Sequence, residues 1–212
     1  VGGCAALGFK PQLAMHLKGG TKRGKYPALT ATLKARAGDA NIAGAVVSLP
    51  HSEFLAQEHI RTVCTRVQFA ADQCPAASVY GKATAWSPLL DQPLSGPVYL
   101  RSSSNPLPDL VADLNGQIRV ALVGRIDSVR GGIRNSFELV PDAPVTKFVL
   151  QMQGGKKGLL VNSRDLCKSV NKVDADFTAQ NGKTHEARPV LTNGCKKPKA
   201  RKGKKSAGKN RR

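Results

Sequence analysis

The chain has 212 residues, with 33 Lys and Arg against 14 Asp and Glu for a formal net charge of +19, and only three Tyr, six Phe and one Trp. It is long enough to bury a genuine core, as one large domain or two small ones, so its cysteines are not its sole source of stability. No apolar run approaches the ~18 residues of a membrane-spanning helix, and an outer-membrane β-barrel fits poorly with two cysteine-closed segments and many prolines.

The chain opens at Val1 with no apolar leader, which predicts a mature product or a fragment of a longer chain. Cys4 follows a glycine, as Cys195 does in Thr192-Asn193-Gly194-Cys195. It reads as the closing cysteine of a preceding module, unpaired in this chain; a free buried thiol is the alternative. Leu13, Met15 and Leu17 alternate with smaller or polar neighbours, a strand signal with Pro11 at its edge. Lys18 to Lys25 is basic and glycine-rich, a linker or hairpin loop. Residues 1–25 are therefore expected to end a preceding module and link it to the module 26–195.

Leu29, Ala31, Leu33 and Ala35 alternate against Thr30, Thr32, Lys34 and Arg36, the pattern of a half-buried strand. Gly38 to Asn41 turns the chain into a strand over Ile42–Leu49. Ser52 then predicts the cap of a short helix, with Glu53 in its first turn, Phe54 and Leu55 facing in, and an end near His59. Cys64 and Cys74, ten residues apart around Ala-Ala-Asp, are expected to pair. Strands follow at Ser78–Trp86 and Gly96–Arg101, and the polar, proline-bearing loop 102–108 offers a point of subdivision. Asn115-Gly116 predicts a hairpin whose second strand carries Ile118, Val120, Leu122, Gly124 and Ile126 on one face. Phe148, Leu150 and Met152 alternate again, and Gly154-Gly-Lys-Lys-Gly158 reads as a turn. No stretch longer than about a dozen residues keeps a 3.6-residue apolar period. The pattern predicts an all-β fold, an immunoglobulin-like or related β-sandwich as one unit or two packed subdomains, with one short helix.

The stretch from Cys167 to Cys195 has Asn181-Gly182 at its middle, the strongest short-range signal for a two-residue hairpin turn because both central positions need positive φ. Such a turn brings Cys167 and Cys195 to within one residue of register. Two predicted disulfides, Cys64–Cys74 and Cys167–Cys195, point to an oxidising compartment and hence to a secreted or cell-surface protein. Zinc does not fit, since no C-x₂₋₄-C pair exists and the four His are not arranged around the Cys.

Residues 196–212 carry Lys196, Lys197, Lys199, Arg201, Lys202, Lys204, Lys205, Lys209, Arg211 and Arg212 and no acid, aromatic or large aliphatic. Such a segment has too little apolar surface to offset the cost of ordering and is predicted to be disordered. It attracts polyanions with an affinity that falls as salt rises.

Leu49-Pro-His-Ser-Glu-Phe54, Cys64-Thr-Arg-Val-Gln-Phe69, Cys74-Pro75, Ser78-Val-Tyr-Gly81, Pro97-Val-Tyr-Leu-Arg101, Val140-Pro-Asp-Ala-Pro-Val-Thr-Lys-Phe148, Gly154 to Ser163 and Leu166-Cys167 together resemble a group of large secreted or surface-exposed actinobacterial proteins of uncharacterised function. The likeness spans about residues 4 to 195 and implies an extracellular β-rich module, sometimes within longer chains. It brings no catalytic residues.

Other chemistry weighs less than its plain reading. His51, Glu53, Glu58 and His59 lack His-Glu-x-x-His spacing. The glycine-lysine loop 154–158 lacks the phosphate-loop spacing. Asp109 with Asp113, and Asp174 with Asp176, read as solvated carboxylates rather than an acid pair or calcium ligands. Ser102 to Ser104 have no nucleophile-elbow setting. The expectation is a non-catalytic extracellular or cell-surface module, structural or adhesive, with no metal or cofactor. Its tail would associate with anionic cell-envelope polymers, and adjacent modules of a longer chain are further partners. The alternative is a basic nucleic-acid-binding protein.

Overall fold

The computed structural model describes residues 3–129 and 132–195, so the tail cations named above lie outside the described residues. The strands are β1 (Gln12–Lys18), β2 (Ala28–Lys34), β3 (Ile42–Ser48), β4 (Glu53–Leu55), β5 (Val79–Trp86), β6 (Leu94–Arg101) and β7 (Asp109–Leu114). They continue with β8 (Val120–Val129), β9 (Gly132–Phe137), β10 (Lys147–Met152), β11 (Leu160–Asn162), β12 (Asp174–Ala179), β13 (Thr184–Ala187) and β14 (Leu191–Thr192). The α-helix α1 (Arg66–Ala70) precedes β5.

Twelve strands form one sheet in the order β13-β12-β3-β9-β8-β7-β6-β5-β10-β2-β1-β14, and β4 pairs with β11 in a separate ribbon. β13 and β14 stand at opposite edges of that sheet, yet only Arg188–Val190 separates them in the chain. Lys172, just before β12, bridges to Val190, while β14 runs parallel to β1. The sheet is therefore curled until its edges meet. The fold is all-β as expected, and in place of two sheets packed as a sandwich a single sheet faces itself across a common interior. Sheets wider than about ten strands curl or split. Here β8 carries the curve: Val120–Gly124 pair with β7 and Arg125–Val129 pair with β9, so one strand joins the two halves of the sheet.

β1 covers the strand expected around Leu13–Leu17 and lies inside this sheet, flanked by β2 and β14. The loop 102–108 joins β6 to its neighbour β7 within the same sheet. The segment from Glu53 to Leu55 is a strand, not the first turn of a helix. Its backbone pairs with Leu160–Asn162, and Glu53 is buried rather than solvated at a helix start. The helix forms later, where Thr65 accepts from the Gln68 amide and the Gln68 side chain accepts from the Thr65 amide, the reciprocal arrangement of a capping box.

Both Asn-Gly pairs serve turns longer than two residues. Ala179 faces Lys183 across Gln180–Gly182, with Gly182 at φ +81°, a three-residue loop closed by a left-handed glycine. Asp176 then opposes Glu186, and the same register continues through Lys172 and Val190 to Cys167 and Cys195. In the other hairpin Leu114 opposes Val120, and Asn115 remains extended, exchanging two hydrogen bonds with Ser95.

Candidate functional site

Period-two alternation turns one face of each long strand inward. Leu13 and Met15 of β1, Leu29, Ala31 and Leu33 of β2, and Phe148, Leu150 and Met152 of β10 form one wall. Ala45 and Val47 of β3, Ile133 and Phe137 of β9, Val120, Leu122 and Ile126 of β8, and Phe177 of β12 form the facing wall. The walls do not close on one another. They enclose a cavity of about 310 Å³, with Ser87, Asn135 and Gln153 the polar side chains in a lining that is otherwise apolar. Gly124 lets the Asn135 carboxamide and the Phe137 ring lie across β8, since a Cβ there would sit 2.4 Å from Asn135 Oδ1 and 2.7 Å from the ring.

The floor and the mouth differ. At the floor the β4–β11 ribbon turns Leu55 and Leu160 to the cavity, and Leu159 joins them. Glu53 and Asn162, two residues along the same ribbon face, are 0% and 1% exposed. Neither Glu53 carboxyl oxygen, nor Ser52 Oγ, nor Asn162 Oδ1 has a protein hydrogen-bond partner. Burial pushes the Glu53 carboxyl up to about 7, against the smaller opposing effects of the Ser52 hydroxyl and the Arg164 charge. At the mouth the connection 138–146 passes from β9 on one side of the sheet to β10 on the other. Val140, Pro141, Ala143 and Val145 of that strap line the cavity. It is held by Asn41 Nδ2 donating to Asp142 at 2.8 Å and Gln180 Nε2 donating to the Val140 carbonyl at 3.1 Å. Leu89 in the β5–β6 loop and Ile118 in the β7–β8 loop line the same opening and are 69% and 52% exposed, and Leu139 on the strap is 90% exposed.

The outward faces are polar. Gln12, His16 and Lys18 on β1, Lys82 on β5, and Asp174 and Asp176 on β12 are exposed. Apolar side chains in and polar ones out is the reverse of a membrane-spanning barrel. Among the described residues no helix is long and apolar enough to cross a membrane.

Both expected disulfides are present. Cys64 bonds Cys74, and Cys167 bonds Cys195. Cys64 is wholly buried and its backbone bonds Leu100 and Ser102 at the end of β6, so these hydrogen bonds hold the 62–78 segment to the sheet while the disulfide closes the segment on itself. Cys167–Cys195 fastens the chain after β14, next to the seam. Cys4 is exposed and unpaired in this chain, so it is not a buried thiol.

Asp109 and Asp113, read from the sequence as solvated, are buried under the 62–78 segment and paired. Arg101 reaches Asp109 at 3.4 Å, and Arg119 reaches Asp113 at 2.8 Å. Both guanidinium groups also lie over the Phe69 ring of α1, at 5.2 and 5.6 Å. Asp174 and Asp176 are exposed, with Arg188 on Asp174 at 2.6 Å. Glu58 accepts from the Tyr26 hydroxyl and His59 bonds the Gly158 carbonyl, and the described residues hold no group of three or more His, Cys, Asp or Glu arranged for a metal. The cavity itself was not read from the sequence. Alternation marks each strand's apolar face, but not whether opposing faces meet.

The architecture is thus a disulfide-stapled, curled all-β cup with an apolar interior. The chain matches no family model, no curated protein and no solved structure.

Proposed function

We propose that the protein is a non-catalytic extracellular binding module that holds one apolar chain or small apolar ring system inside its curled sheet. The observation that carries this reading is the cavity, about 310 Å³ of almost purely apolar space opening between Leu89, Ile118 and the 138–146 strap. That volume lies at the low end of the ~300–1,000 Å³ range of small-molecule pockets. At about 30 Å³ per water-sized group its enclosed part admits about ten heavy atoms, a naphthalene ring or a short alkyl stretch, and the remainder of a longer ligand lies in the open mouth. At about 0.8 kcal/mol per buried methylene, ten methylenes contribute about 8 kcal/mol, which alone corresponds to about 1 μM, and the cost of association weakens this to between micromolar and millimolar affinity.

The extracellular setting is supported by the two disulfides. The ten cations of residues 196–212 suit association with an anionic envelope polymer. Titration with the fluorophore N-phenyl-1-naphthylamine tests the central part. The expected result is saturable enhancement at one site per chain, reversed by a saturated fatty acid of about twelve carbons. Enhancement that never saturates, or that fatty acid leaves unchanged, overturns the reading.

A further inference from the structure

We infer that the closed end of the cup is a polyanion-binding surface formed by the folded chain itself, separate from the apolar cavity and from the tail. The β1–β2 connection, Gly19–Pro27, carries exposed Lys22, Arg23 and Lys25, directly after exposed Lys18. This loop is fastened to the floor at several points. Asn162 Nδ2 donates to the Gly20 and Lys22 carbonyls at 2.9 and 3.0 Å, the Gly24 amide donates to the Asn162 carbonyl at 2.8 Å, and the Leu166 amide donates to the Thr21 carbonyl at 2.9 Å. Gly155 bonds the Tyr26 carbonyl, which sets the turn bearing exposed Lys156 alongside. Exposed Arg164 and Lys168 follow β11 on the same side.

Few carboxylates oppose them. Asp165 bonds Lys22 at 2.7 Å, and the Lys22 ammonium, the Cys167 amide and the Lys168 charge hold its carboxyl below the usual range. Glu58 is engaged by the Tyr26 hydroxyl. Arg23, Lys25, Lys156 and Lys168 have no side-chain ion pair among the described residues. At the mouth, by contrast, Arg36 is paired with Asp39 and Arg119 with Asp72 and Asp113.

The Cys167–Cys195 disulfide then places the end of the described chain beside Lys168, and the ten cations of 196–212 follow directly in sequence. A linear polyanion can therefore engage a fixed, preorganised cluster on the folded chain. The loop and the turn expose no large apolar side chain, and Val170, two residues beyond Lys168, is a single exposed one, so the surface fits the charges of a polymer rather than insertion into a bilayer. Bound this way, the module presents the mouth of its cavity away from the polymer.

Full-length variants test this. In one, Arg23, Lys25, Lys156 and Lys168 are changed to Gln; in a second, the ten tail cations are; a third carries both sets. Binding to long-chain inorganic polyphosphate is measured against salt, with phosphatidylglycerol vesicles in parallel. The tail variant is expected to keep salt-sensitive polyphosphate binding, and adding the four body substitutions should lower its log–log salt slope by about 0.7 per lost contact, about 3 in all. Replacing the three lysines by Arg should restore it. If the tail variant loses all polyphosphate binding, or the four substitutions leave the slope unchanged, or only vesicles bind, the inference falls. An unchanged thermal midpoint and unchanged N-phenyl-1-naphthylamine titration in every variant separate this result from the fate of the cavity.

Discussion

Glu53 is buried against Asn162 with no donor to either carboxyl oxygen, and at the floor of an apolar cavity a charge there is poorly solvated. With its folded pKa raised to about 7 from an ordinary 4.5, the folded chain retains a proton that the unfolded chain releases. Stability is then fully present below about pH 4.5, declines between about pH 4.5 and 7, and is flat above. The loss is on the order of 3 kcal/mol. Denaturant titrations at a series of pH values should show this decline, and Glu53→Gln should remove it and be more stable than wild type at pH 7.5. A wild-type profile that is flat or rises between pH 5 and 7 would contradict the assignment. Asp109 and Asp113 show the opposite solution to burial. Each has an Arg partner, and both partners lie over the Phe69 ring.

At the scale of elements, the seam is where the sheet depends on a few contacts. β14 contributes only Leu191 and Thr192, pairing with Met15 and His16, and the Lys172–Val190 bridge completes the junction. The Cys167–Cys195 disulfide, 28 residues apart, holds this link in place. On the chain-entropy estimate, changing both cysteines to Ser should cost about 3.6 kcal/mol, against about 2.8 for the shorter Cys64–Cys74 loop. Hydrogen exchange should rise at the Leu191 and Val173 amides, which bond Asn171 and Pro189 across the junction, while β6 and β7 stay protected. Equal acceleration across the sheet would mean that the seam is not the weak element.

The strands themselves were legible in the sequence. The alternations around Leu29 to Leu33, Ile118 to Ile126 and Phe148 to Met152 appear with the faces they predict. Both cysteine pairs were legible too, from spacing and from a hairpin whose turn proved one residue longer than two. The closure was not, because it rests on the parallel pairing of Met15 and His16 with Leu191 and Thr192, contacts far apart in sequence that leave no local mark. The strand at Glu53–Leu55 was misread as helical because three residues carry no usable period, and its conformation is decided by Leu160–Asn162, more than a hundred residues away.

For the molecule as a whole, the question is why a curled sheet should leave its interior unfilled. If the same space were made by truncating core side chains, about 310 Å³ at ~24 cal/mol per Å³ would cost about 7 kcal/mol, comparable with the whole stability of an ordinary domain. A bound apolar group recovers part of that cost, which is the physical case for a ligand. The two ends then divide the work. The mouth carries exposed Leu89, Ile118 and Leu139, and the floor carries the cations of the 19–25 loop. Asp substitutions at Leu89 and Leu139 should slow uptake of an apolar probe several-fold in stopped-flow measurements and leave the floor's polyanion binding unchanged.

The most direct measurement compares wild type with Ala31→Phe, whose added ring projects from β2 into the cavity. The two are titrated with N-phenyl-1-naphthylamine, and their unfolding is followed under the same conditions. The account predicts at least a tenfold loss of probe affinity in the variant with stability equal to or above wild type, because the ring occupies the ligand's space and fills the void. Undiminished probe binding in a folded Ala31→Phe protein would place the probe elsewhere and contradict the cavity as the ligand site.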